Sequence, residues 1–148
     1  MIKWEEERTI NSNIETIWEF FKEENMYKIM PNVVENEPVE TKEGEVGSIY
    51  RQSYKEGKRV ETYLVETLEY TNTPNNKHKR IAFELGKAFK IDLSFTLHKI
   101  DEGHTRFVYS GQNEGINFIG RVLVKLGGEK NNKKVVDDFM NRVEQAAV

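Results

Sequence analysis

The sequence predicts an α+β fold, an antiparallel sheet of about seven strands covered by a long C-terminal helix, and three patterns carry that expectation. Ile2 to Ile10 and Phe89 to Lys99 alternate with period two, the mark of strands with one face in a core. Lys55-Glu56-Gly57 and Asp101-Glu102-Gly103 stand between apolar runs as hairpin loops with glycine in the left-handed position. From Ile116 the apolar spacing turns helical, through Ile119, Val122, Leu123 and Leu126 to Val135, Val136, Phe139, Met140 and Val143. A sheet with one apolar face needs a cover, and this segment is the only large element able to supply it.

In the first strand Ile2, Trp4, Glu6, Arg8 and Ile10 share one face, opposite Lys3, Glu5, Glu7 and Thr9. Ser12-Asn13-Ile14-Glu15 reads as a capping box, with Ser12 the cap of a short helix carrying Ile14, Ile17, Trp18 and Phe21. A second short helix holds Met26, Tyr27, Ile29 and Met30 and stops before Pro31. Val33 to Gln112 reads as strands. The Lys55-Glu56-Gly57 loop pairs Tyr54 with Lys58, Gln52 with Val60 and Tyr50 with Thr62. Glu66 then shares a face with Tyr50, Gln52 and Thr62. The second hairpin sets Leu97 opposite Phe107 and Phe95 opposite Tyr109. A three-residue loop after Leu85 matches Leu85 with Phe89 and Phe83 with Ile91, leaving Glu84 outside. Gly127-Gly128 makes the last segment either a kinked helix or two consecutive helices.

The 148 residues suit one domain, 1–148, with no repeat or linker. The chain has no cysteine, which excludes disulfide scaffolds and cysteine-based zinc sites. No apolar run approaches the ~18 residues a membrane span needs. Met1 to Arg8 is charged rather than signal-like, so a cytoplasmic setting and no stable membrane insertion are expected. The net charge is −3, and residues 1–70 hold 16 acidic groups against 9 basic ones. Without a concentrated basic face, nucleic acid is not an expected partner.

Several local sequences in this order resemble the START-like and Bet v 1-like superfamily and its polyketide cyclase/dehydratase branch. Thr9-Ile10 leading into Ile14-Glu15-Thr16-Ile17-Trp18 is similar to the family's strand-to-helix opening. Gly44-Glu45-Val46-Gly47-Ser48 is similar to the start of its third strand, and Asp101 to Arg106 to its last hairpin. Asn11-Ser12-Asn13 departs from the usual Ala-Pro, and Gly127-Gly128 breaks what is often one helix. The resemblance implies a helix-grip fold: a curved sheet wrapped around the terminal helix, the first strand beside the last, enclosing a cavity for an apolar or aromatic small molecule. Its members bind, transport or transform such molecules, so it implies a cavity more firmly than a reaction.

No fixed-spacing catalytic motif is present. The candidates are polar residues on inward faces. Arg8 can hold a carboxylate or enolate with Glu6 as orienting group or base; the plain alternative is an ion pair reaching water. Glu66 in an apolar pocket has a raised pKa and can move a proton, unless a bulge turns it outward. Tyr50, Gln52, Thr62 and Tyr109 are further polar anchors. Phe95, Phe107, Phe118 and Val122, with Leu126, serve equally as core or as pocket wall. His98 and His104 lie outside and His78 in a loop, with no metal site expected. The expectation is a ligand-binding protein, monomeric or weakly dimeric, needing no cofactor. The alternatives are a cyclase/dehydratase-like enzyme, or a protein-interaction module using the acidic surface of residues 33–69.

Overall fold

The computed structural model describes residues 1–123 and 127–148, with the side chain of Leu123 also outside the description. The expected positions Leu123, as a side chain, and Leu126 therefore fall outside it. Seven antiparallel strands form one sheet: β1 (Ile2–Ile10), β2 (Val33–Glu40), β3 (Ile49–Glu56), β4 (Arg59–Asn72), β5 (Asn76–Leu85), β6 (Phe89–Asp101) and β7 (His104–Gly115). Their order across the sheet is β1-β7-β6-β5-β4-β3-β2, so the first strand closes on the last as expected. Helix α1 (Ile14–Trp18) and two short 3₁₀ turns (Glu19–Phe21 and Glu23–Lys28) follow β1. Two helices, α2 (Phe118–Leu123) and α3 (Glu129–Ala147), end the chain. This is the helix-grip arrangement. Among the described residues, no helix is long and apolar enough to cross a membrane.

The core lies between the concave face of the sheet and α1, the 3₁₀ turns and α3. Val136, Phe139, Met140 and Val143 on α3 meet Phe95, Leu97, Phe107 and Tyr109 on β6 and β7. The spacing of those four helical residues puts them on one stripe, which is why α3 buries that side and leaves Lys133 and Lys134 in water.

Two hairpin registers stand as read from the sequence. Phe95 pairs with Tyr109 and Leu97 with Phe107, while Leu85 pairs with Phe89 and Phe83 with Ile91, leaving Glu84 exposed. The third differs. The β3–β4 turn contains two residues, Gly57 and Lys58, and closes on a Glu56–Arg59 pair of opposite charges. Tyr50 then pairs with Val65 and Gln52 with Tyr63, three positions from the expected register. An odd shift exchanges the faces of a strand. Tyr63, Val65 and Thr67 point inward, and Thr62, Leu64 and Glu66 point outward. The start of α1 also differs. Asn13, not Ser12, is the cap: its Oδ1 accepts from the Glu15 amide at 2.9 Å, while its Nδ2 donates to the Glu102 carbonyl at 2.9 Å. Anchoring to the β6–β7 loop selects Asn13 over its neighbour.

Candidate functional site

Across the middle of the concave face the space is filled. Phe95 and Phe107 are fully buried, and Phe95 stacks on Tyr109 with centroids 5.4 Å apart. Phe21 meets Phe95 at 5.0 Å, and Phe139 caps Tyr109 at 4.7 Å. Burial pushes the Tyr109 phenol well above the usual tyrosine range. These three expected wall residues, Phe95, Phe107 and Tyr109, thus sit inside a packed aromatic cluster.

Arg8 and Glu6 do not pair. Arg8 reaches across to α3, where its Nη1 donates to Asn141 Oδ1 at 2.7 Å and lies 3.7 Å from Glu144. The helix offers partners that the strand neighbour, two residues away, does not match. Glu6 stays exposed on the rim of a recess of ≈ 180 Å³ between β1 and α3, beside Ile2, Trp4 and Val136.

Tyr50 and Gln52 point inward and are buried. The Tyr50 hydroxyl donates to Glu45 Oε2 at 3.2 Å, and burial raises its pKa, with Glu23 and Glu45 adding to the effect. Thr62 and Glu66 are outside, contrary to expectation, because of the register just described; Thr62 shares a hydrogen bond of 2.9 Å with Ser53. Phe118 and Val122 also point to solvent, 79% and 36% exposed. The cause is Gly120: α2 turns its glycine onto the Ala88 carbonyl, where a Cβ would collide, and the opposite side of the helix carries the apolar groups outward. The outer histidines are engaged locally, His98 with Asn76 and His104 with Asp101.

The sheet opens at one end. Pairing between β4 and β5 begins only at Glu66–Ala82, so residues 61–65 stand away from residues 83–85. Tyr63 and Phe83 stack across this gap with centroids 4.8 Å apart and planes 18° from parallel. They floor an open cleft of ≈ 720 Å³ that faces the outer side of the sheet, where its rim carries Leu64, Glu66, Glu84, Lys87 and Lys90. That size is in the range of small-molecule sites. Burial, with Tyr54 and Glu61 nearby, pushes the Tyr63 phenol up to about 12. Glu61 pairs with Arg59 through one oxygen, while its other oxygen is buried without a partner. The concave row continues by register from Phe83 to Ile91 to Asn113, with Trp4 diagonal to Asn113 on β1. Trp4, Tyr63, Phe83, Ile91 and Asn113 are all half-buried, unlike the fully buried row of Phe95 and Phe107.

Sequence reasoning brought only Thr62 and Glu66 to this cleft, and on its rim. It missed Tyr63 and Glu61 because of the hairpin register, and alternation left Phe83 open between core and cavity wall. The opposite charges of Glu56 and Arg59 flanking Gly57-Lys58 are the signal that selects the right register.

The sequence model of the family described as polyketide cyclase / dehydrase and lipid transport matches residues 1–148. No curated protein matches the sequence. Among solved structures, a START superfamily protein from Mycobacterium smegmatis superposes with a TM-score of 0.76 at 12% identity, covering 98% of this chain and 96% of that one. The di-domain ARO/CYC StfQ from the steffimycin biosynthetic pathway gives 0.71 at 11% identity, covering 97% of this chain and 44% of that one. Norcoclaurine synthase from Thalictrum flavum, in complex with dopamine and hydroxybenzaldehyde, gives 0.65 at 10% identity, covering 97% and 84%. At these identities the likeness is one of fold.

Proposed function

The chain belongs to the polyketide cyclase / dehydrase and lipid transport family, and on that premise we propose that it binds a small, largely apolar, ring-containing molecule in the open cleft between β4 and β5. The observation that carries the proposal is the stacked, half-buried pair Tyr63 and Phe83 at the floor of a cleft of ≈ 720 Å³. Aromatic side chains of a sheet are normally covered, and a pair left partly bare at the floor of a cleft is the expected form of a binding surface. The stacked Tyr63–Phe83 pair offers a flat aromatic face, and Glu66, Lys87 and Lys90 at the rim can meet a polar substituent. The acidic balance of residues 1–70 supports a small-molecule partner over nucleic acid.

The test is binding of naphthalene, followed by thermal unfolding. A ligand specific for the folded state stabilises it by RT ln(1 + [L]/Kd), about 2.7 kcal/mol at a hundredfold excess over Kd. Phe83→Ala and Tyr63→Ala should weaken binding about tenfold or more, while Glu6→Gln leaves it unchanged. Unaltered affinity in both aromatic variants rejects the site.

A catalytic reading has one supporting observation, the unpartnered Glu61 oxygen near the Tyr63 phenol. A carboxylate and a phenol at one cleft can accept and donate protons in an enolisation or dehydration. Loss of turnover in Glu61→Gln, with ligand affinity retained, is the result this reading requires. Glu6 and Arg8, the other candidates for proton transfer, lie toward α3, and Glu66 lies on the outer rim.

A further inference from the structure

Helix α2 is held with its apolar residues facing water. Phe118 and Ile119 are 79% and 66% exposed, and Val122 lies beside them at helical spacing. Contacts with the β5–β6 turn keep the helix from rolling over to bury them. The Ile116 amide donates to the Ala88 carbonyl at 2.9 Å, and Asn117 Nδ2 donates to the Lys87 carbonyl at 3.3 Å. Asn117 Oδ1 accepts from the Gly120 amide at 2.7 Å and so fixes the first turn. Gly120 itself is buried against Ala88, where a Cβ would collide with the carbonyl oxygen. With the glycine turned inward, Phe118, Ile119 and Val122 are directed outward.

The surroundings of this face are basic. Lys133 borders Ile2, and Ile2 pairs with Asn113 just before β7 ends, so α2, the β5–β6 turn and the start of α3 share one end of the sheet. That end carries Lys87, Lys90, Arg121, Lys130, Lys133 and Lys134, all exposed, against Glu84, Glu114 and Glu129, in a chain of net charge −3. Lys90 is paired by register with Glu84 and Glu114, and Lys134 bonds Asp138 at 2.9 Å. Among the described residues Lys87, Arg121, Lys130 and Lys133 are in no ion pair. Exposed aromatic and aliphatic groups ringed by such cations match the headgroup layer of an anionic membrane, where the apolar groups enter the acyl boundary and the cations meet phosphates. A second copy of the chain fits less well. The three apolar side chains expose roughly 350 Å², well short of the about 800 Å² per partner of a stable interface. A two-fold contact would also set the same cations against one another.

We propose that α2 docks the protein reversibly on an anionic lipid surface, with Phe118 and Ile119 in the acyl boundary and Lys87 and Arg121 on the headgroups. The contact is superficial: a helix of six residues is ~9 Å long and lies in the interface rather than across it. It goes beyond the cleft between β4 and β5 and stands whether or not that cleft takes a ligand.

The test is sedimentation with vesicles of phosphatidylcholine, alone or mixed with phosphatidylglycerol. Partition onto the mixed vesicles should be about tenfold stronger or more, and about 0.5 M salt should remove most of that gain. Phe118→Ser combined with Ile119→Ser should weaken partition about tenfold and leave the thermal midpoint unchanged, since both side chains are exposed. On the unaltered chain, mixed vesicles should slow amide exchange over residues 116–122 and not over β2; this measurement decides if the double variant fails to fold by circular dichroism. Absence of partition, equal partition onto both vesicles, or protection elsewhere in the chain overturns the proposal. Partition that the serine variant leaves untouched is adsorption by charge alone and overturns it as well. A dimer in sedimentation equilibrium that the serines dissolve, in a protein that ignores vesicles, identifies a contact between copies instead and has the same consequence.

Discussion

Phe95→Ala distinguishes a filled core from a cavity wall. Phe95 is fully buried, with Phe21 at 5.0 Å, Tyr109 stacked at 5.4 Å and Phe139 at 5.8 Å. Removing the ring deletes on the order of 100 Å³ from a region whose neighbours are themselves held on all sides. At ~24 cal/mol per Å³ the cavity costs ~2.4 kcal/mol, and a lost transfer energy of ~2 kcal/mol brings the total to ~4 kcal/mol. Total stability for a domain is ~5–15 kcal/mol, so the variant should remain folded but marginal. With a urea dependence of ~2 kcal/mol per M, the midpoint should fall by ~2 M, read by circular dichroism. The new void should also take up benzene, raising the midpoint of the variant and not of the parent. A loss below ~1 kcal/mol would refute the reasoning, because it would mean that Phe95 borders open volume rather than packed neighbours.

Three further outcomes follow from the geometry. Gly111→Ala places a Cβ 2.5 Å from the Asp92 carbonyl oxygen as well as against Trp4, and should cost ~2–3 kcal/mol in urea unfolding; a variant as stable as the parent refutes the close approach. Lys79 is buried, with its Nζ 2.6 Å from Glu23 and 3.3 Å from the Phe21 carbonyl. Glu23→Gln should therefore destabilise by ~2 kcal/mol and more than Lys79→Met, since Glu23 can turn to water and the ammonium cannot; the reverse order would contradict the burial argument. At alkaline pH the shift at Tyr63 has a definite sign. Its folded value is raised to about 12 from 10.0, so the folded state favours the neutral phenol. That contribution is complete below pH ~10 and is lost as pH rises through about 12. Tyr50 and Tyr109 act in the same direction. The share of tyrosinate absorbance from Tyr50, Tyr63 and Tyr109 should lag behind that of free tyrosine and appear together with unfolding; all six tyrosines ionising near 10 in a folded protein would refute it.

The legibility of the sequence varied along the chain for physical reasons. The β6–β7 hairpin was readable because the Asp101-Glu102-Gly103 loop and the burial of Phe95, Leu97, Phe107 and Tyr109 agree on one register. The β3–β4 hairpin was not, since Val60, Thr62 and Leu64 form an inward-looking apolar set that ends up outside. There Tyr63, Val65 and Thr67 compete for the core, and the Glu56–Arg59 turn decides in their favour. Helix α2 misled for a similar reason: Phe118, Ile119 and Val122 have helical spacing, but the contact with Ala88 runs through Gly120.

By itself the sequence determined the fold family, the order of elements and the inward stripe of α3, because alternation and helical spacing are local and repeat over many residues. Only the tertiary structure decided which inward residues are packed and which are left partly bare. A buried Phe95 and a half-buried Phe83 obey the same alternation; what separates them is the reach of α3 and the parting of β4 from β5, and both depend on contacts between segments distant in the chain. Tertiary placement also turned Arg8 toward α3 and Glu66 toward water. It left Trp4 and Asn113 with polar atoms that nothing in the described chain satisfies.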